Sequence, residues 1–487
     1  VFANFVKKKL QQEPDTVVTN DNKTLREVFV DAGIDHSCIS IDAFNVLADH
    51  STYQRFDKFN SKYSPFKLAK MRLIFLKSAG NPLKGRFFAE LTQEVLKHYQ
   101  STTGTTNQCA ELRVSIYGNP QLQYVEWQSL AEWVLTDWGG EGNLLSPCNR
   151  WVVQIPRLYR VFRGKGLVSD FACMMRAVFE PLIQATLHPD QHPRIAELLL
   201  HVVALDSVDD ESNPEEPLVD LPADQWTEDG QPHYAYQLYH LYANLQVLNT
   251  LRSRQGLNTV ALRPHAGESG DCMHMASAYL LAQSVNHGIQ LDKQVSLQYL
   301  FMLDQVGCSV SPMSNKFLFA KLQRNPFYEL FQRGLNVTLS TDDPMLFHLS
   351  RDALLEEYSV ARVVWGLSMT DMCEIARRSV LQSGFSEVNK KQWLGEDLWS
   401  KSNVPTVRRK FRQETLAREH TLLRKLAELK GDLILKAAAA EYRHLRELSK
   451  ELVGAGTLTS GTHSESCPKK WSLEKQSTPS RSAPNNT

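Results

Sequence analysis

Two ligand patterns that are common in zinc proteins are missing from this sequence. None of the eight cysteines lies two, three or four positions from another, and the 15 histidines include no pair two positions apart. The missing CxxC pair excludes zinc fingers and other zinc sites built on cysteine pairs. The wide scatter of the cysteines, in a large chain with an ordinary apolar fraction of 42%, favours reduced cytosolic thiols over disulfides.

The chain also lacks a net charge and a long apolar run. Lys+Arg and Asp+Glu both total 54, so we expect no nucleic-acid partner, and any anion site has to be local. No apolar run approaches the ~20 residues that a membrane helix needs, so we expect no membrane partner. The N-terminal residues VFANFVKKK are not a signal peptide, because the basic residues follow the apolar ones. Since the first residue is not Met, we expect a fragment or a processed product.

Short apolar runs rich in β-branched residues alternate with helical patterns through most of the chain. This alternation predicts seven β-helix units and a parallel α/β sheet. A closed TIM-type (β/α)8 barrel needs eight such units, so we place the missing first strand before Val1. The predicted strands start near Glu111, Trp151, His201, Thr259, Val285, Cys308 and Asn336.

The segments outside the strands divide the chain into three predicted regions. Residues 1–405 form the barrel, residues 406–453 a charged helical extension, and residues 454–487 a disordered tail rich in Ser, Thr, Pro and Lys. Further helices are predicted over residues 1–12, from Thr24 with a capping-box spacing to Glu27, over 67–100, over 234–254, over 317–323 and over 369–384.

Polar residues follow three of the predicted strands in a pattern that suits a metal-dependent hydrolase. The strand before His265 is followed by Glu268, the next stretch carries His287, and the last predicted strand ends at Asp342 and Asp343. Parallel barrels display catalytic groups at these strand ends. Imidazole nitrogen and carboxylate oxygen suit zinc, which favours His265 and Asp342 as ligands. Glu268 and His287 suit acid–base work, whereas each stretch alone could also be a surface loop.

A further polar stretch, residues 53–63, mixes aromatic residues with basic ones. A solvated amphipathic loop is one interpretation. The other is an anion and base site, in which Lys58 and Lys62 meet a phosphate and aromatic side chains meet a ring.

Together these motifs resemble the adenosine/AMP deaminase superfamily. The short motifs are HAGE at residues 265–268, HG at 287–288 and STDDP at 340–344. The longer stretches LRPHAGESG from Leu262, DKFNSKY from Asp57 and LNVTLSTDDP from Leu335 resemble AMP deaminases. The resemblance extends from about Phe5 to Phe411, and three long motifs in order are far more specific than one short pattern.

The resemblance implies hydrolysis of AMP to IMP and ammonia with one zinc ion (Zn2+) per subunit, by a cytosolic homotetramer. Glu268 would protonate a ring nitrogen and His287 would take the proton of the attacking water. Asp342 would be both ligand and orienter, with His265 as the second ligand, while Asp343 would hydrogen-bond the purine. The implied substrate-binding set is Lys58, Phe59, Asn60, Ser61, Lys62, Tyr63, Glu268, Asp343, Pro344, Met345 and Leu346.

One feature departs from the family pattern. Family members carry two further zinc ligands in a His-x-His pair at the end of the first strand, and this sequence has none. We expect the pair just upstream of Val1, because FVKKKL at residues 5–10 resembles the segment that comes after the pair in family members. Two of four expected protein ligands are therefore present, so residues 1–487 alone should hold zinc weakly. Two alternatives stay open: an adenosine deaminase-like enzyme, or an inactive truncated subunit that assembles with intact copies.

Overall fold

The structure is a computed structural model, and it describes residues 1–34, 69–101, 108–318, 321–397 and 402–429. The chain divides into two units, Val1–Thr421 and Leu422–Thr487, and the features below belong to the first, except for the end of the last helix, which extends to Leu429. The predicted domain boundaries stay predictions, and most of the predicted extension and tail lie outside the described residues.

Parallel strands form the centre of the first unit, as the alternating pattern predicted. They make two four-stranded sheets, in the order β1-β2-β3-β4 and β5-β6-β7-β8, and every neighbouring pair is parallel. The strands are β1 Ala110–Ser115, β2 Asn149–Pro156, β3 Val202–Val208, β4 Ala261–Leu262, β5 His265–Ala266, β6 Ser284–His287, β7 Gly307–Val310 and β8 Val337–Leu339.

Strands β4 and β5 are two halves of one interrupted strand that joins the sheets. Only Arg263 and Pro264 separate them. The Arg263 amide donates to the Leu205 carbonyl at 2.8 Å, and the Asn286 amide donates to the Pro264 carbonyl at 2.9 Å. The two sheets therefore form one array with seven strand positions, and a strand lies at or near each of the seven predicted places.

The array curves strongly. Arg113 on β1 donates hydrogen bonds to Asp206 on β3 and to Asn286 on β6. Four strand spacings would put β1 and β6 about 19 Å apart in a flat sheet, so only a curved array allows this contact. Within the described residues no pairing joins β1 to β8. A closed barrel and an additional first strand therefore stay predictions.

Helices cover the convex face of the array, and the main core lies between the two layers. Trp127, Phe179 and Leu241 are among the buried apolar residues of this core. The middle of β2 and most of β3 are buried on both faces, which explains why each contains a short continuous apolar run. The helices before the last strand are α1 Phe2–Gln12, α2 Leu25–Asp31, α3 Ala69–Phe75, α4 Arg86–Gln100, α5 Gln123–Leu135, α6 Tyr159–Gly164, α7 Phe171–Leu187, α8 Pro193–Leu199, α9 Tyr234–Arg254, α10 His274–Leu281, α11 Val295–Asp304, α12 Pro312–Leu318 and α13 Phe327–Arg333.

The helices after β8 complete the described chain. The predicted closing helix is present, and the charged extension is helical over its described part. Helix α1 and the 234–254 helix have the predicted positions, and Thr24 and Glu27 form the predicted capping box. These last helices are α14 Pro344–Phe347, α15 Ala353–Trp365, α16 Met369–Gln382, α17 Glu387–Leu394 and α18 Thr406–Leu429.

One helix prediction was wrong, and one had the wrong start. The single helix predicted over 67–100 is two helices, α3 and α4, because residues 76–85 form a turn. Gly85 adopts a φ of +79°, and a Cβ there would lie 2.5 Å from the Ser78 carbonyl oxygen, so the helix cannot run through. The short helix predicted over 317–323 starts earlier, at Pro312, which is favoured at a first helical position. This helix, α12, ends its described part at Leu318, and a 3-10 turn follows at Leu322–Arg324, with residues 319–320 outside the described residues.

A second apolar core lies among the N-terminal helices. Phe2 and Phe5 of α1 make edge-to-face contacts with Phe75, which stacks on Phe87 at 5.4 Å between ring centroids. Met345 and Leu346, both in the predicted substrate-binding set, pack against this core. No helix in the described ranges combines the length and apolarity needed to cross a membrane.

Candidate active site

The polar residues predicted to act together do meet at one edge of the strand array. His265 lies in β5, His287 is the last residue of β6, and Asp342 follows β8. One potential ligand atom from each of these three residues lies within 4.8 Å of the other two. Glu268 completes the group, with its Oε1 3.4 Å from Nδ1 of His287. The chain thus brings two imidazoles and two carboxyl groups together from three separate strand ends.

The His265 ring is held by a buried carboxylate. Its Nδ1 lies 3.0 Å from Asp206, which is fully buried and also accepts from the His265 backbone amide, Arg113 and Gln154. Burial raises the pKa of Asp206, but His265 and Arg113 outweigh that effect and lower it. Burial lowers the pKa of His265, but Asp206 more than compensates and raises it. Since Nδ1 faces Asp206, Nε2 is the nitrogen left for a metal.

Glu268 and His287 lie against each other in a buried place that disfavours the charged form of both. Burial raises the pKa of Glu268 well above its usual range, with Asp342 and Glu211 adding to the effect. Burial also lowers the pKa of His287 to about 4. These shifts favour the protonated carboxyl and the uncharged imidazole, which are an acid and a base at one place.

An asparagine on α12 positions this pair. The Nδ2 atom of Asn315 lies 3.2 Å from both Glu268 Oε1 and His287 Nδ1, and Asn315 is fully buried. Asn325 donates to Asn315 Oδ1 at 3.3 Å and itself accepts from the Phe327 amide at 3.0 Å. Because the last donor is a backbone N–H, this chain of contacts orients the Asn315 amide with its NH2 group toward the pair.

The backbone at two of the clustered residues adopts the left-handed region. His287 has φ +69° and Asp342 has φ +52°. A positive φ is uncommon for residues with a side chain, and such strain is concentrated at functional sites. Asp342 is exposed, and its Oδ2 accepts a hydrogen bond from Ser314 on α12 at 2.5 Å. Asp343 precedes α14, and its carbonyl accepts from the Leu346 and Phe347 amides.

The donor set fits a zinc ion. Two imidazole nitrogens and one carboxylate oxygen are the ligand types that zinc takes at about 2.0–2.2 Å. Their mutual spacing of up to 4.8 Å needs only a small contraction to share one ion. The cluster includes His287, which the sequence analysis assigned to proton transfer rather than to the metal.

The other predicted substrate-binding residues are not members of this cluster. Pro344, Met345 and Leu346 form the first turn of α14, directly after Asp343 in the chain. The predicted phosphate and base segment lies outside the described residues. It consists of Lys58, Phe59, Asn60, Ser61, Lys62 and Tyr63.

The sequence analysis missed the residues that support the cluster. Asp206 ends the apolar run HVVALD, and this polar residue at a strand end was a usable signal. Ser314 and Asn315 lie in a stretch that reads from sequence only as the polar end of a strand. Glu211 lies in a loop with no packing pattern, so its sequence offers no comparable signal.

Comparison with known families supports the motif resemblance. The family model described as AMP deaminase matches residues 2–429. AMP deaminase from Dictyostelium discoideum is 44% identical over 442 residues, covering 88% of this chain and 54% of that protein. AMP deaminase from Schizosaccharomyces pombe is 45% identical over 431 residues, covering 87% and 50%. The chain thus spans about half the length of the curated relatives it matches.

Solved structures give a weaker match. The crystal structure of adenine deaminase from Arthrobacter aurescens covers 76% of this chain and 91% of its own, at 17% identity and a TM-score of 0.44. A superposition at that level is too poor to support a conclusion.

Proposed function

This chain belongs to the AMP deaminase family, and we propose that the complete protein that carries it hydrolyses AMP to IMP and ammonia. The observation that supports this reaction best is the close contact of Glu268 and His287 beside His265 and Asp342. Hydrolysis at an amino-bearing ring carbon needs a proton donor, a proton acceptor and an activated water, and this cluster contains groups suited to each.

Glu268 is the proton donor in this proposal. The raised pKa of its carboxyl favours the protonated form, which an ordinary glutamate has lost at neutral pH. Transfer of that proton to a purine ring nitrogen makes the ring carbon more electrophilic. General acid catalysis of this kind contributes roughly 10²–10⁴-fold to a rate. We assign the hydrogen bond to the purine to Asp343, following the family pattern.

His265 and Asp342 are the proposed zinc ligands among the described residues. When bound, zinc supplies a nucleophile at neutral pH by lowering the pKa of water to about 7. His287 lies against the same position and is uncharged, so it is the group we propose to receive the proton of the attacking water.

Substrate choice is proposed to depend on Lys58 and Lys62. In the complete protein, Lys58→Ala combined with Lys62→Ala should lower kcat/KM for AMP by roughly 10- to 150-fold, since a charge-assisted contact contributes about 1.5–3 kcal/mol. The same variant should leave the rate with adenosine almost unchanged. Lys165→Ala, at an exposed lysine after α6, is the control. An equal loss with both substrates would remove the phosphate role and favour an adenosine deaminase-like enzyme.

Three further parts of the proposal rest on the family resemblance and the sequence: a closed barrel, a homotetramer and a cytosolic location. Light scattering on the complete protein tests the tetramer directly. A tetramer that binds AMP but releases no IMP would favour the alternative of an inactive subunit.

A further inference from the structure

Glu211 lies in the loop after β3, outside every motif that carries the family resemblance. Its side chain is buried, with 5% of the residue exposed. Its carboxylate accepts from the Gly267 amide at 2.7 Å, from the Glu268 amide at 3.2 Å and from His274 Nδ1 at 2.9 Å. One carboxylate therefore holds the backbone from which the proposed acid projects.

His274 contacts a second carboxylate through its other ring nitrogen, so that a buried chain of charged side chains extends away from Glu211. Its Nε2 lies 2.9 Å from Glu215 Oε1, and Glu215 makes a two-point contact with Arg157 at 2.7 and 2.8 Å. Burial alone lowers the pKa of His274, but its hydrogen bonds to Glu211 and Glu215 raise it to about 9. A charged imidazole that bridges two carboxylates thus keeps Glu211 in a single orientation.

Tyr234 connects this chain of charged side chains to the backbone of His265, the proposed zinc ligand in the same loop. Its ring stacks on His274 with 4.2 Å between ring centroids, and its hydroxyl donates to the His265 carbonyl at 2.7 Å. Its own amide donates to Glu215 at 2.9 Å. The network therefore reaches the backbone of both His265 and Glu268.

The loop also packs tightly against the Glu211 backbone. Gly270 has φ +67°, and a Cβ at this position would lie 1.6 Å from the Glu211 carbonyl oxygen. Gly267 has φ +72°, and a Cβ there would lie 2.5 Å from the sulfur of Met275. At position 270 any side chain would collide with the Glu211 backbone, and at 267 the positive φ disfavours a side chain, so the close packing of this loop on Glu211 depends on glycine.

We propose that Glu211 is a positioning residue for the deamination: its carboxylate, oriented by His274, fixes the backbone that carries Glu268. The inference rests on the proposed function. A carboxylate suits this place because it only accepts hydrogen bonds and has sites for three donors at once. A glutamine would turn its NH2 group toward at least one of those donors.

The test compares Glu211→Gln with Glu216→Gln in the complete protein. Both variants remove one negative charge from the same loop, but Glu216 is exposed. Glu211→Gln should lower kcat for AMP by roughly 10- to 100-fold, because small misplacements at a reacting centre cost about that much. KM should change by less than about 3-fold and bound zinc should not change. Glu216→Gln should match the wild type.

Hydrogen exchange gives a readout that does not depend on activity. The peptide that contains Gly267 and Glu268 should exchange faster in Glu211→Gln than in the wild type, while a peptide from α5, which makes no contact with this network, should not change. If Glu211→Gln fails to fold, His274→Gln replaces it and should show the same changes to a smaller degree.

Three results would overturn the proposal. They are unchanged exchange at residues 267–268, a rate loss explained entirely by lost zinc, and a raised KM with normal kcat. A wild-type protein that deaminates no AMP would contradict the proposed function instead, and the exchange comparison would still decide whether Glu211 holds the loop.

Discussion

Two loops carry most of the candidate site, and they are held in different ways. The loop after β5, residues 265–270, is anchored through its backbone. The His265 amide donates to Asp206 at 2.9 Å, and its carbonyl accepts from Tyr234 at 2.7 Å. The amides of Gly267 and Glu268 both donate to Glu211. Four backbone groups are thus bound by side chains from other segments.

The loop after β8, residues 340–344, has a different arrangement. Its Ser340 amide continues the strand by donating to the Val310 carbonyl at 2.8 Å. Beyond that point Asp342 is exposed and has a left-handed backbone, and its side chain accepts from Ser314. The difference indicates that the two loops have different roles. We expect the first loop to hold the proposed acid and one imidazole in place, and the second to supply a carboxylate whose final position the metal sets.

The largest expected effect comes from removing a ligand of the anchored loop. His265→Ala should abolish zinc binding and lower deamination by at least about 10³-fold, because metal assistance contributes several kcal/mol to stabilising the transition state. Metal analysis and AMP turnover on one preparation check this. A variant that keeps one zinc per chain would show that His265 is not a ligand.

The second largest expected effect distinguishes a proton donor, Glu268, from a zinc ligand, His265, in the same loop. Glu268→Gln keeps the size of the side chain but cannot donate a carboxyl proton, so the rate should fall by roughly 10²–10⁴-fold with zinc retained. Turnover of AMP together with zinc content is the measurement. Loss of zinc in this variant would make Glu268 a ligand and contradict its assigned role.

A matched pair of variants compares the supports of the two loops directly. Asp206→Asn should weaken zinc binding by about 10- to 100-fold, as is typical when the partner of a ligating histidine is changed. Ser314→Ala should weaken it by less than about 10-fold, because water can replace one hydrogen bond to the exposed Asp342. Competition with a zinc chelator measures both. Equal losses would mean that the second loop is anchored as firmly as the first.

The smallest expected effect is a pH dependence of stability. The pKa of His274 is raised in the folded protein to about 9, from an ordinary 6.5. The stabilisation is therefore complete below about pH 6.5 and is lost as the pH rises through 9. The melting temperature of the wild type should fall by a few degrees over that interval, and that of His274→Gln should not. Parallel curves for the two proteins would rule out a charged His274.

The strands and the site residues at their ends could be predicted from the sequence, but most of the side chains that hold those site residues in place could not. His265, Glu268, His287 and Asp342 could be found because each follows an apolar run that reads as a strand, and parallel strands bring their carboxyl ends together. The same reasoning could have identified Asp206, because it ends the predicted strand that starts near His201.

The rest depends on the fold itself. Glu211 and Asn315 contact Glu268 across 57 and 47 residues of sequence, and no local pattern marks such a contact. The break of the 67–100 helix depends on Gly85, whose close approach to Ser78 is visible only in three dimensions. Polar side chains that bind distant backbone groups leave no periodicity for sequence analysis to detect.

The central claim is that a zinc ion at His265 and Asp342 works with Glu268 to deaminate AMP. The most direct test removes the metal from the complete protein with a chelator and then titrates zinc while IMP formation is followed. The account predicts no IMP without metal, a linear return of activity up to one zinc per chain, and no return in His265→Ala. Full activity in the metal-free protein, or zinc saturation without IMP, would contradict it.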